Sequence, residues 1–133
     1  MIETALGTSI AFTAPHRLAT KAGYDILEGG GTAVEAMVAA AAQIAVVYPH
    51  MNSIGGDGFW LIKKKGQTPV AISACGPAAE KATPDWYEKR GYKRFLPTRG
   101  PLAALTVPGT IAGWKLALEL DNPIRAIPLT ELL

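Results

Sequence analysis

Cysteine is almost missing from this sequence of 133 residues, because Cys75 is the only one. A disulfide within the chain is therefore excluded, and with only two histidines a structural zinc site is not expected either. An excess of charge of one sign is missing as well, since the formal net charge is +2. This balance gives no support to a nucleic-acid partner. We predict that the chain carries no metal and no cofactor.

Long apolar runs are also missing. The longest, residues 33–47, includes Glu35 and Gln43, and it is shorter than the roughly 20 residues that a helix needs to cross a bilayer. It therefore indicates a helix of the core, and no membrane partner is expected. Residues 1–12 show neither a basic start nor a clear cleavage site, so no signal peptide is recognised and a cytoplasmic location is favoured.

Apolar residues, by contrast, are abundant. They make up 49% of the chain against 18% for charged residues, a composition typical of a folded domain with one core. The front of the chain predicts a short strand at 9–15 and then a helix that ends at the glycines 29–31. Leu18, Ala22 and Ile26 are spaced four apart, so they share the face that we expect to be buried.

A second helix has a well-marked start. Thr32 and Glu35 stand in the T-x-x-E relation of a capping box, in which each side chain bonds the backbone amide of the other residue. The apolar run behind them is expected to be enclosed, and Pro49 is expected to end it because proline lacks the amide and clashes with the preceding turn.

The middle of the chain predicts a hairpin. "FWLIKKK" (59–65) and "VAISAC" (70–75) have the composition of strands, and the turn residues 66–69 lie between them. A short helix is predicted at 84–91, with Pro84 at its start and Gly91 as its stop. Helices and paired strands together predict the α+β class.

The end of the chain predicts two more helices. One begins within "VPGTIAGWKLALEL" (107–120) and ends at Asn122-Pro123. Its buried face is predicted to carry three residues: Ile111, Trp114 and Leu118. The other begins at Pro128 and stops after one turn, although its leucines start an amphipathic pattern. We therefore expect the chain to be an incomplete part of a longer polypeptide.

The stretch "GGDG" (55–58) allows two interpretations. Successive amides of a glycine turn can bind an anion, but this turn follows a helix and precedes a strand, the reverse of the dinucleotide-binding order, and no G-K-S/T follows. A tight turn in which glycines permit close backbone contact is the favoured alternative. Asp57 can bond the amides of such a turn or face a ligand, since a carboxylate among apolar residues needs partners.

Candidates for catalytic side chains are few. His16 and His50 each stand beside a proline at a helix boundary, where capping is favoured over general-base catalysis. Cys75 can act as a nucleophile only beside a base that produces the thiolate, and a small core or pocket residue is the favoured role. The residues alone therefore supply no complete catalytic set.

Taken in order, three stretches resemble the gamma-glutamyltranspeptidase family. They lie within residues 14–120 and read "APHRLATKAGYDILEGGGTAVEAMVAAAAQIAVVYPHMNSIGGDGFWLI", "ACGPAAEKAT" and "LAALTVPGTIAGWKLALEL". The resemblance implies an N-terminal-nucleophile hydrolase with an αββα sandwich, made as a precursor that cuts itself into a large and a small subunit. It also implies that residues 1–133 form a partial large-subunit domain. The nucleophilic threonine then belongs to the missing C-terminal small subunit, which is the expected partner.

Two departures from the family pattern bear on the substrate. Asp57 replaces the third glycine of the common G-G-G-G form. Ser73 stands where family members that act on gamma-glutamyl substrates carry an arginine shortly before an alanine-proline pair, here Gly76-Pro77. That arginine holds the substrate α-carboxylate by a bidentate bond, which serine cannot form. The sequence around the glycines is more similar to that of a branch of the family that includes oxamate amidohydrolase.

The resemblance also suggests where a small-molecule amide substrate binds. The wall of the acyl pocket is expected to include five residues: Asn52, Asp57, Ser73, Ala74 and Cys75. The complete protein would then hydrolyse or transfer an amide through an acyl-enzyme, whereas these 133 residues alone would be inactive. Two alternatives stay open: a non-catalytic remnant that serves as an assembly or binding module with the same fold, and an anion-binding protein that uses the GGDG turn.

Overall fold

The computed structural model describes residues 6–121 and 126–133 of the chain. They divide into two compact units, one formed by the described residues up to Ile54 and from Trp114 onward, the other by Gly55–Gly113. Helices and a two-stranded sheet are both present, which confirms the mixed class. None of the described helices is both long and apolar enough to cross a membrane.

The first unit is built on two helices, α1 (Arg17–Glu28) and α2 (Ala33–Val47), which pack against each other. Small residues make this packing close, and the core contains Ala19 of α1 with Ala40 and Ile44 of α2. The face predicted for α1 is only partly buried, because Ala22 and Ile26 are half-buried and Leu18 is 42% exposed. The fully buried positions are those of Ala19 and Gly23.

The start of α1 confirms one prediction, whereas the segment before the helix contradicts another. The Nδ1 atom of His16 accepts a hydrogen bond from the Leu18 amide at 3.2 Å, so His16 caps the helix as expected. The strand predicted at 9–15 is absent from the structure. A strand needs a backbone partner, and here the Thr20 hydroxyl bonds both the amide and the carbonyl of Ala14 instead.

The capping box at the start of α2 is confirmed. The Thr32 hydroxyl accepts from the Glu35 amide at 3.1 Å, and Oε2 of Glu35 accepts from the Thr32 amide at 2.7 Å. The second carboxylate oxygen, Oε1, accepts from the backbone amide of Ile127 at 2.6 Å. Glu35 is fully buried, so its carboxylate ties the start of α2 to the segment that precedes the last helix.

The rest of the first unit follows the predictions in part. α2 ends at Val47, before Pro49, but it is not enclosed all round, since Val46 is 74% exposed. Residues 114–121 of a later helix also belong to this unit, and the last helix spans Leu129–Leu132. The predicted stop at Asn122-Pro123 lies outside the described residues.

The second unit contains the predicted hairpin. Strands β1 (Gly58–Ile62) and β2 (Val70–Ala74) pair antiparallel. They are followed by α3 (Pro84–Glu88), which Thr83 caps, and by a 3₁₀ turn at Pro101–Ala103.

The next helix, α4 (Thr110–Asp121), begins in the second unit. Its predicted face is only partly correct. Trp114 is buried, but Ile111 is 42% exposed and small residues such as Ala117 are buried beside Trp114. As in α1, small residues take buried positions, although in α4 the large Trp114 is buried as well. The final helix, Leu129–Leu132, is α5.

Candidate functional site

One end of the hairpin brings together four of the five predicted wall residues. Ser73 and Ala74 are the last residues of β2 and Cys75 follows them. Ala74 pairs with Gly58, and Asp57 immediately precedes Gly58, so the register places Asp57 at the same end as Cys75. Asn52 belongs to the other unit, where its amide donates to the Tyr48 carbonyl, so the structure does not group it with these four.

The side chains at this end differ in exposure. Ser73, Cys75 and Asp57 are exposed, and Ala74 is half-buried. The core position considered for Cys75 is therefore wrong, and a role in a pocket stays a prediction. Both histidines belong to the first unit, so no imidazole within the second unit serves Cys75 as a base. No cluster of three metal-ligating side chains occurs among residues 6–121 and 126–133.

The glycine turn is held by its backbone. The carbonyl oxygen of Gly56 accepts hydrogen bonds from the amides of Gly109 and Thr110, both at 3.0 Å, and from the Thr110 hydroxyl at 2.7 Å. These donors belong to Thr110, the first residue of α4, and to Gly109, the residue before it. Helix N-termini commonly bind anions. At the start of α4 a carbonyl oxygen of the chain itself takes that position.

The turn also lacks the conformation of an anion-binding nest. Such nests combine right-handed and left-handed backbone conformations in successive residues. Within the described part of the chain, the glycines with positive φ lie elsewhere: Gly30, Gly66, Gly91 and Gly100. The structural interpretation of GGDG is therefore favoured over the anion-binding one.

Close backbone contact in this unit occurs at Gly76 and Gly109, which lie outside the GGDG cluster. A Cβ on Gly109 would collide with the carbonyl of Ala74, and a Cβ on Gly76 would collide with the carbonyl of Val107. A Cβ on Gly56 would meet nothing within 4 Å. The expectation that the cluster itself permits close contact is thus wrong for Gly56, because the carbonyl rather than the absent side chain makes its contacts.

Sequence reasoning missed Thr110 as part of this site. Thr110 is 7% exposed, and its bond to Gly56 spans 54 residues of sequence. A threonine directly after Pro108-Gly109 at the start of a helix is a recognisable local signal for capping. Nothing local identifies the distant carbonyl that the hydroxyl bonds.

The outer face of the hairpin is exposed and largely apolar. Phe59 pairs with Ser73 and Leu61 pairs with Ala71, so these four side chains share one face. Phe59 is 74% exposed and Leu61 is 78% exposed, whereas Ile72 on the opposite face is buried. Ser73 is thus a small polar residue next to two large apolar ones.

Solved structures that share this arrangement of helices and hairpin include a transpeptidase and an acylase. Helicobacter pylori gamma-glutamyltranspeptidase superimposes with a TM-score of 0.82 at 33% identity, over 97% of this chain and 37% of that one. Cephalosporin acylase from Bacillus halodurans gives a TM-score of 0.76 at 33% identity, over 87% of this chain and 21% of that one.

The sequence identifies the family more closely. The family model described as Gamma-glutamyltranspeptidase matches residues 19–120, and the chain belongs to this family. Curated relatives include the oxamate amidohydrolase proenzyme of Klebsiella pneumoniae, 53% identical over 122 residues, and the glutathione hydrolase proenzyme of Escherichia coli, 39% identical over 102 residues. These matches cover 90% and 76% of this chain but only 22% and 18% of the relatives.

Proposed function

We propose that the chain is the front part of the large subunit of a self-processing amide hydrolase, and that oxamate or a similarly short amide is its substrate. The relative named oxamate amidohydrolase is 53% identical, against 39% for the glutathione hydrolase of Escherichia coli. Both are named proenzymes, which supports cleavage into two subunits. The nucleophile is then a threonine at the new end of the small subunit, and the acyl group passes through an ester on it.

The observation that carries the choice of substrate is that Ser73 is exposed and that neither β1 (Gly58–Ile62) nor β2 (Val70–Ala74) contains a cation. A gamma-glutamyl group presents its α-carboxylate several bonds away from the amide carbon, and a distant carboxylate needs a charged partner in the pocket wall. In oxamate the carboxylate is bonded directly to the amide carbon, so its partner lies beside the reacting carbonyl. Ser73 suits the neutral far wall of such a short pocket.

The exposed apolar face of the hairpin supports the prediction that the αββα sandwich is incomplete in these residues. A two-stranded hairpin is marginal by itself, and three or more strands or a covering layer are needed for stability. Covering Phe59 and Leu61 stabilises the assembly by about 1.5–3 kcal/mol for each side chain. We infer that a second sheet from the remaining polypeptide packs on this face, with the small subunit as partner. The cytoplasmic location stays a prediction from the sequence.

The test is expression of the complete gene that encodes these residues. The proposal expects two fragments on a denaturing gel and release of ammonia from oxamate at a higher kcat/KM than release of anilide from a gamma-glutamyl anilide. An uncut product without turnover would instead support the non-catalytic module. Preferential cleavage of the gamma-glutamyl compound would contradict the short-pocket argument and leave the amide hydrolase class intact.

Two matched variants locate the pocket wall. Ser73→Arg restores a cation at the predicted wall, so it is expected to lower kcat/KM for oxamate and to raise it for the anilide by about tenfold, the effect of one charged hydrogen bond. Ala71→Arg places the same side chain on the same exposed face, two residues away from the predicted wall. Equal effects of the two variants would remove Ser73 from the pocket.

A further inference from the structure

Three donors from the start of α4 converge on one acceptor in the second unit. The Thr110 hydroxyl donates to the Gly56 carbonyl at 2.7 Å, and the amides of Gly109 and Thr110 donate to the same oxygen at 3.0 Å each. A carbonyl oxygen has two lone pairs, so this acceptor is more than fully used. The hydroxyl bond is the shortest, and it is the one that a substitution removes without touching the backbone.

The same side chain reaches the end of the hairpin. Thr110 is 7% exposed, so water has little access to the bond. Its Cα and Oγ1 atoms lie 3.7 Å and 3.9 Å from the position that a Cβ of Gly58 would take. Gly58 is the partner of Ala74 in the sheet and the neighbour of Asp57 in sequence. Thr110 therefore bonds the turn before β1 and lies beside the first residue of that strand.

The residue before Thr110 fixes the other side of this end. A Cβ on Gly109 would collide with the Ala74 carbonyl and would lie 3.2 Å from the Gly76 amide nitrogen, so the backbone there lies directly against the end of β2. The start of α4 thus contacts both chain segments of the candidate wall: the turn before β1 through Thr110 and the end of β2 through Gly109.

We propose that Thr110 is a positioning residue. Its hydroxyl fixes the turn bearing Asp57 against the end of β2 and so sets the distance between these two segments of the pocket wall. The inference rests on the proposed function, which assigns that wall to substrate binding. Thr110 itself touches no substrate. Its loss shifts the Gly56–Gly58 segment relative to Ser73, and displacements of about 1 Å near a reacting group can reduce rates up to a hundredfold.

The test compares three substitutions in the complete, processed protein. Thr110→Val keeps the shape and removes the hydroxyl, Thr110→Ala removes both, and Thr110→Ser keeps the hydroxyl. We expect the first two to lower kcat/KM for the wild-type substrate by about tenfold or more, mainly through KM, and Thr110→Ser to stay within about twofold. A matched control is Thr83→Val, which removes the capping hydroxyl of α3 in the same unit.

Hydrogen exchange of the turn gives a second readout that does not depend on activity. Residues 55–59 should exchange faster in Thr110→Val than in wild type and Thr83→Val. Unchanged kinetics in folded Thr110→Val and Thr110→Ala would overturn the proposal, as would equal losses in Thr83→Val, or failure of both hydroxyl-free variants to fold, since the role would then be structural only. A wild type without turnover overturns the proposed function, and the exchange of residues 55–59 then decides the geometric claim alone.

Discussion

Replacing Glu35 by glutamine tests how much of the first unit depends on one buried carboxylate. In the native state Oε2 accepts from the Thr32 amide at 2.7 Å and Oε1 accepts from the Ile127 amide at 2.6 Å. Glutamine has almost the same shape, but its NH₂ group donates and cannot accept a bond from an amide. Glu35→Gln therefore leaves one of the two buried N–H groups facing another donor.

The magnitude follows from what is lost. A buried donor left without an acceptor costs about 1–3 kcal/mol, and bonds to a charged acceptor are at the upper end of that range. The lost negative charge in the first turn of α2 adds about 0.3–1 kcal/mol through the helix dipole. We expect the free energy of unfolding to fall by about 2–4 kcal/mol, more than the ~1 kcal/mol that removal of a capping hydroxyl by Thr32→Ala costs.

Urea unfolding followed by circular dichroism measures this change, and amide exchange at Ile127 locates it. The control is Glu119→Gln, which removes an exposed ion pair with Lys115 at 3.8 Å and is expected to change stability by less than about 0.5 kcal/mol. If Glu35→Gln unfolds like this control, or if the Ile127 amide stays equally protected, the carboxylate does not tie the two segments together and the argument is wrong.

Two further predictions concern side-chain space. Gly109→Ala places a methyl group against the Ala74 carbonyl and is expected to destabilise by about 1–3 kcal/mol, whereas Gly56→Ala has open space and should stay within about 0.5 kcal/mol in the same urea experiment. Gly23→Ala places a methyl group against the Phe12 ring and is expected to cost a similar 1–3 kcal/mol. Phe12→Leu in the Gly23→Ala background should recover part of that loss, and no recovery would show that the strain lies elsewhere.

The sequence predicted those features that depend on neighbouring residues. The capping box of Thr32 and Glu35, the cap at His16 and the hairpin all follow from side chains and turn residues within a few positions of each other. Local hydrogen bonding and alternation decide these features, so distant parts of the chain do not change them. The family resemblance, which is a pattern of such local motifs in order, is confirmed by the family model that matches residues 19–120.

Features that depend on distant residues were missed. The bond from Glu35 to Ile127 spans 92 residues and the bond from Thr110 to Gly56 spans 54. The buried faces of α1 and α4 were predicted only in part, because spacing identifies large apolar residues such as Trp114, while close packing also selects small ones such as Ala19. The prediction of a strand at 9–15 was wrong because a strand requires a backbone partner, and the composition of a segment does not identify one.

Gly56 and Gly58 of the GGDG cluster differ from Gly76 and Gly109, which pack the second unit. Within this chain, Gly109 and Gly76 have no room for a side chain, while Gly56 faces open space and Gly58 has only ordinary contacts of 3.7 Å or more. Among residues 6–121 and 126–133, the missing side chain of Gly56 therefore makes room for no neighbouring atom. We expect a substrate, or a segment from the rest of the polypeptide, to lie against Gly56 in the complete protein. Gly56→Ala should then leave the stability of this chain unchanged and still lower turnover in the complete protein.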